Sequence, residues 1–173
     1  MTSKLNMRQF FRISKTPVGR AMLPTLLGSV LLPTVALAQV TGGDRIFEDV
    51  RLGPFSPPTP ITVKGISGGP LAARLLTEQD TTATGTCIGF IDREPDHRLT
   101  LDEFFDYLSL NVRSPEDTTL VLIGPGGLWC SDDYEGRNPG LAGEWLPGTY
   151  EIWVGSYRKE TYHPYILEFH TEP

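Results

Sequence analysis

The side chains in this sequence best suited to hold a ligand are oxygens. Asp132, Asp133, Glu135 and Asn138 share one loop, SDDYEGRN, in which glycine frees backbone carbonyls. A hard cation such as calcium takes roughly six to eight oxygen ligands of this kind, so this loop is the candidate calcium site. The competing reading is a solvated turn, where Asp and Asn are favoured because they hydrogen-bond their own backbone. A second set, Asp92, Glu94, Asp96, Arg98, Thr100 and Glu103, has the ligand spacing of an EF-hand loop. There, however, His97 stands where the loop needs glycine, and Gly85 and Gly89 interrupt the segment that would have to be a helix. That spacing reads as coincidence.

Catalysis has a thinner basis. A hydrolase would need an imidazole joined to a nucleophile and an orienting acid, and His97, His163 and His170 are the imidazoles of the chain. No His-Glu-x-x-His motif accompanies them. They are expected to be turn and strand residues, and no catalytic residue is assigned. Among the aromatics, Trp153 and Tyr157 fall on the outward register of TYEIWVGSY, which makes them the candidate surface for a glycan or a partner protein. Trp129 is expected to pack on a disulfide beside it, and Trp145 to sit in the core next to Leu146.

Cys87 and Cys130 are the two cysteines of the chain. Their redox state turns on compartment. Lys4, Arg8, Arg12, Lys15 and Arg20 precede an apolar run from Ala21 to Ala38 that ends in Ala-Leu-Ala, the pattern of a cleaved secretory signal over residues 1–38. An uncleaved anchor is the alternative, but Pro24, Gly28 and Pro33 break a run already short of the ~20 residues a spanning helix needs. Export to the periplasm or beyond makes Cys87–Cys130 a disulfide. It would close a loop of about 44 residues, and chain entropy alone then contributes on the order of 4 kcal/mol. The chain has 15 basic and 21 acidic side chains, and the first 38 residues hold five of the bases and none of the acids. The remainder has 10 against 21, a net charge of −11. Nucleic acid and, after cleavage, membrane are thereby excluded as partners, since both need clustered Lys and Arg. An unknown protein or glycan at the cell surface remains.

These residues must be positioned by strands. The prolines of LGPFSPPTP, Leu52 to Pro60, remove backbone donors and make residues 39–60 an extended lead-in, with the folded domain at 61–173. Leu71 to Gln79 has helical composition for about one turn. Strands are expected at Ile61–Lys64, Thr86–Asp92 and Leu99–Leu101. Leu108, Leu110 and Val112 then alternate with polar residues, as do Tyr150, Ile152 and Val154, and Tyr165, Leu167 and Phe169, each set with the period of two that buries one face. Turn signals at Ser114-Pro115, Gly124-Pro125-Gly126-Gly127, Asn138-Pro139-Gly140 and Pro147-Gly148 separate them. The fold class is all-β, a single antiparallel β-sandwich, jelly-roll-like.

The order DTTLVL, a Gly-Pro turn, SDDYEG and PGTYEIWVGSY resembles the bacterial pre-peptidase C-terminal domain, a β-sandwich appended to secreted peptidases. SGG at Ser67 to Gly69, GTCIGFI, PDHRLTL, GPGGLWCSDD and YHPYIL also resemble small secreted cyanobacterial proteins without an assigned activity. The resemblance implies a non-enzymatic accessory or binding module. Some relatives bind calcium or matrix polymers, with calcium ligands drawn partly from an acidic amino-terminal linker that has no match in this sequence.

Overall fold

A computed structural model describes residues 47–58 and 60–172. The signal over residues 1–38 and the first part of the lead-in lie outside the described residues.

Two sheets face each other across the core. One is antiparallel throughout, in the order β11 (Gly140–Trp145), β8 (Phe105–Arg113), β13 (His163–His170), β2 (Ile61–Ser67). The other is built around β12 (Gly148–Ser156). Along one side β12 pairs first with β7 (His97–Leu101) and then with β6 (Phe90–Ile91); along the other it pairs with β9 (Thr118–Gly124), which pairs with β10 (Gly127–Ser131). The lead-in is more than a lead-in: its VRL contributes β1 (Val50–Leu52), paired parallel to β7. Three residues are too few for alternation to announce a strand. The expected strand at Thr86–Asp92 is broken into β5 (Gly85–Thr86) and β6 by Gly89, and β5 pairs with β4 (Thr81–Thr82). The helical composition of Leu71 to Gln79 yields β3 (Leu71–Ala72) and one turn of helix, α1 (Ala73–Thr77). The chain is an all-β antiparallel sandwich.

The inward registers are as the alternation requires. Leu108, Leu110, Tyr150, Ile152, Val154, Leu167 and Phe169 are all buried between the sheets. The outward register of β12 is a correction. Trp153 is only 3% exposed, in a second core with Ala73, Cys87, Ile91, Val121 and Cys130. Alternation puts Trp153 on the face opposite Ile152, but the segment between β3 and β6, which holds Ala73 and Cys87, covers that face. Trp153 therefore cannot serve as a ligand surface, whereas Tyr157, half exposed, still can. Trp129 is likewise turned from its expected place: it packs into the core between the sheets, against Trp145 and Tyr150, while Cys130 faces the cover.

The Cys87–Cys130 disulfide pins that cover to β10. Two threonines extend the seam: Thr82 Oγ1 accepts from Cys130 N–H and Thr84 Oγ1 donates to Cys130 O, so side chains satisfy the backbone of an edge strand. A similar substitution occurs on β12. Between its pairing with β7, which ends at Ile152, and with β6, which begins at Ser156, Val154 has no ladder partner on that side. The Asp96 carboxylate accepts its N–H at 2.7 Å, and Gly68 N–H donates to its carbonyl. Burial pushes the Asp96 carboxyl up to about 7, against the lowering effect of the Val154 bond and with a smaller push from Asp92.

Two outcomes follow for stability. Ile152→Ala and Trp153→Ala should each cost about 2–5 kcal/mol in denaturant unfolding, while Trp153→Phe, which also removes a buried indole N–H without a partner, should cost far less. A Trp153→Ala variant as stable as wild type would remove the second core. Because the folded pKa of Asp96 lies above its unfolded value, its stabilising contribution is complete below about pH 4 and is lost as pH rises through about 7. Asp96→Asn keeps an acceptor for Val154 and should flatten this part of the pH profile, whereas Asp96→Ala should cost about 1–3 kcal/mol at every pH by orphaning that N–H.

Candidate functional site

The β9–β10 hairpin brings acids together that the sequence keeps apart. Its register sets Ser131 opposite Leu120. Continued past the last pair, it sets Asp132 and Asp133 beside Thr119 and Thr118 at the start of β9, next to Asp117, which immediately precedes that strand. Carboxylate oxygens of Asp117, Asp132 and Asp133 lie within 4.8 Å of one another. Oδ1 of Asp117 and Oδ1 of Asp132 are shut off from solvent and receive no hydrogen bond. Burial raises the Asp132 carboxyl to about 6, helped by the charges of Asp133 and then Asp117. Arg137, the nearest base in sequence, does not relieve the charge, since its guanidinium reaches Pro115 O instead.

Of the expected ligand loop, then, Asp132 and Asp133 are gathered, and the other two residues are not. Asn138 has spent its amide: Oδ1 accepts from the Thr118 hydroxyl at 3.0 Å and Nδ2 donates to Ser114 O at 2.9 Å. It is a peg that holds the loop to the start of β9. Its backbone closes the turn, with Tyr134 N–H and Glu135 N–H both donating to Asn138 O and Gly136 at φ +70° making the bend. Glu135 is exposed and outside the carboxylate cluster. Asp117 takes the third place.

The other candidates resolve into structure. The EF-hand spacing is indeed coincidence, because His97 to Leu101 form β7 and the Asp96 carboxylate is bound to Val154 N–H. His97 is fully buried, with Nδ1 on Glu48 O at 2.6 Å and Nε2 on the Tyr165 hydroxyl at 2.7 Å. A carbonyl only accepts, so Nδ1 carries the proton and Tyr165 donates to Nε2. Burial lowers the His97 pKa and favours this neutral ring. The bond ties the two sheets together and leaves no nitrogen for base chemistry. Tyr165 reaches it by lying over Gly65, where a Cβ would come 2.3 Å from its hydroxyl. His170 faces Glu168, 3.6 Å away. On the uncovered half of the outer face lies a broad groove of about 600 Å³, lined by Asp49, Arg98, Thr100, Thr149 and Glu151, in which Arg98 and Glu151 pair with each other at 3.1 Å.

No family model matches the chain. An uncharacterized protein of Synechococcus elongatus is 37% identical over 83 residues, which make up 46% of this chain and 61% of that protein. The chain thus matches less than two thirds of that relative. Among solved structures, the chain is similar to the pre-peptidase C-terminal domain of collagenase from Bacillus anthracis, with a TM-score of 0.42 and 15% identity over 70% of this chain and 95% of that domain.

The division between ligand and peg is testable by unfolding. Asn138→Ala should cost about 1–3 kcal/mol through the orphaned Ser114 carbonyl and Thr118 hydroxyl. Glu135→Gln should stay within about 0.5 kcal/mol of wild type. The reverse order would return Glu135 to the site and demote Asn138.

Proposed function

We propose that the chain is an exported, non-catalytic β-sandwich module of the periplasm or cell exterior, and that it binds a divalent cation, calcium by ligand chemistry, at the corner of Asp117, Asp132 and Asp133. One observation carries this reading: two of the three clustered carboxylates each turn an oxygen away from water toward no donor. Buried charge without a partner is costly, and a dication supplies what both oxygens lack. All-oxygen donors suit calcium, which completes its shell with backbone carbonyls and water. The disulfide fits an oxidising compartment, and no described helix is long and apolar enough to cross a membrane. Cation binding at a hairpin end would order a loop surface for a protein or glycan partner.

Thermal melting in millimolar calcium and in chelator tests the site. Calcium should raise Tm, by the equivalent of about 2.7 kcal/mol at a hundredfold excess over Kd. Asp117→Asn with Asp132→Asn should abolish the rise. In chelator at pH 8 the same variant should melt above wild type, since it removes a carboxylate whose ionisation the fold opposes. Calcium affinity should fall as pH drops through about 6, where Asp132 takes up a proton. Coincident wild-type melts with and without calcium would leave the corner a solvated turn.

A further inference from the structure

Sheet edges that could pair with another chain are commonly blunted by shortness, bulges or covers, and several edges here are. β1 is three residues long, β11 is interrupted by a register shift between Gly143 and Trp145, and β10 is held by the disulfide and two threonine hydroxyls. β2, the last strand of its sheet, has none of these devices. Its seven residues contain no proline and pair with β13 in one unbroken register, from Ile61 opposite Phe169 to Ser67 opposite His163.

The neighbouring strands fix which of its backbone groups are open, because successive residues of an antiparallel strand turn their N–H and C=O to opposite sides. Val112 N–H donates to Pro139 O and Leu108 O accepts from Trp145 Nε1, both on the β11 side. Ser109, Asn111 and Arg113 of β8 therefore face β13, where they meet His170, Glu168 and Ile166. That leaves His163, Tyr165, Leu167 and Phe169 to face β2, where they meet Ser67, Gly65, Val63 and Ile61. Thr62, Lys64 and Ile66 thus turn their backbone donors and acceptors to the open side, and among the described residues nothing bonds them there.

The side chains beside this edge say what fits it. Those of Thr62, Lys64 and Ile66 are exposed on the outer face. Ile66 is 43% exposed opposite Pro164, and Ile166 is 36% exposed opposite Lys64, so the lysine stands in a small apolar patch. No carboxylate pairs with Lys64 among the described residues, and Glu168, opposite Thr62, is taken by Arg113 at 2.7 Å. A second copy offering its own β2 would bring no acid and, centred on Lys64, would set like charges face to face. An acidic residue next to apolar ones answers both the ammonium and the patch.

We propose that β2 receives an extended segment of a partner protein as an added antiparallel strand, with an acidic side chain opposite Lys64 and an apolar one opposite Ile66. Main-chain hydrogen bonds supply the affinity and the two side chains set the register. The edge shares no residue with the carboxylate corner, so it stands or falls independently of calcium.

The test is titration of the purified protein, in chelator, with the acetylated and amidated peptide SIVEVTS, followed by amide NMR shifts. Paired antiparallel, its Glu lies opposite Lys64 and its Ile opposite Ile66. The amides of Thr62, Lys64 and Ile66 should shift saturably with a Kd of about 1 mM or tighter. Methylating the Glu nitrogen, which in this pairing donates to Lys64 O, should weaken binding at least about tenfold. Methylating the nitrogen of the Val after it, which points away from β2, should change affinity less than about threefold. SIVKVTS should bind at least about threefold more weakly than SIVEVTS, and the surface change Lys64→Glu should reverse that preference. Equal binding of the two methylated peptides would reduce the contact to side-chain adhesion and overturn the proposal. So would equal affinity for SIVEVTS and SIVKVTS, or no saturation up to about 5 mM. Sedimentation of the peptide-free protein as a dimer, with the Thr62, Lys64 and Ile66 amides protected from exchange, would assign the edge to a second copy and overturn it as well.

Discussion

The second half of strand β12, from Ile152 to Ser156, is buried on both of its faces, and most of the molecule answers to that constraint. Tyr150, Ile152 and Val154 fill the space between the sheets, while Trp153 fills a second core on the far side. An antiparallel sheet can leave one face to water, giving a hydrophobic-in, polar-out alternation. This one instead recruits the segment between β3 and β6, from Ala73 to Gly89, as a cover and fastens it with the Cys87–Cys130 bond. Close approach follows. A Cβ on Gly155 of β12 would come 2.5 Å from Thr119 Oγ1, and one on Gly89, at φ +85° in the cover, would come 2.6 Å from the same atom. The cover can cross the sheet there only because both positions lack a side chain.

Covering the sheet also organises its ends. The disulfide and the two threonine hydroxyls hold β10 along the edge that would otherwise be open. With β10 fixed, the β9–β10 hairpin gathers Asp117, Asp132 and Asp133 at its open end and sets its Pro125–Gly126 tip beside Trp129 at the other.

Local period was enough to read the inward faces of β8, β12 and β13, because each runs long enough for alternation to repeat. It was not enough for β1, with three residues, or for β11, where Gly140 and Gly143 interrupt GLAGEW and a register shift follows. Trp153 shows a different limit. Period two says that Trp153 and Ile152 point to opposite faces, and is silent on whether the far face meets water or a cover. The carboxylate corner was half legible for a related reason: Asp132 and Asp133 announce themselves by adjacency, while Asp117 joins them only through the hairpin register. Its one local signal is its place just before the first β-branched position of DTTLVL, with GLWCS as the return strand after the turn at Gly124–Gly127.

Burial pushes up the carboxyls of Asp92, Asp96 and Asp132, and the contrast between the last two separates structure from site. Asp96 has a donor, Val154 N–H at 2.7 Å, which lowers its pKa against desolvation, and its main task is to complete a ladder that β7 leaves unfinished. Asp132 has no donor on its buried oxygen, and the charges beside it, Asp133 and Asp117, raise its pKa further rather than relieve it. Proton, arginine and cation are the three ways to settle such a cluster. The arginine at hand, Arg137, is turned to Pro115 O, and at neutral pH a pKa of about 6 leaves Asp132 largely ionised. Of the three, a cation is the one that matches the unpaired oxygens of an ionised cluster at neutral pH.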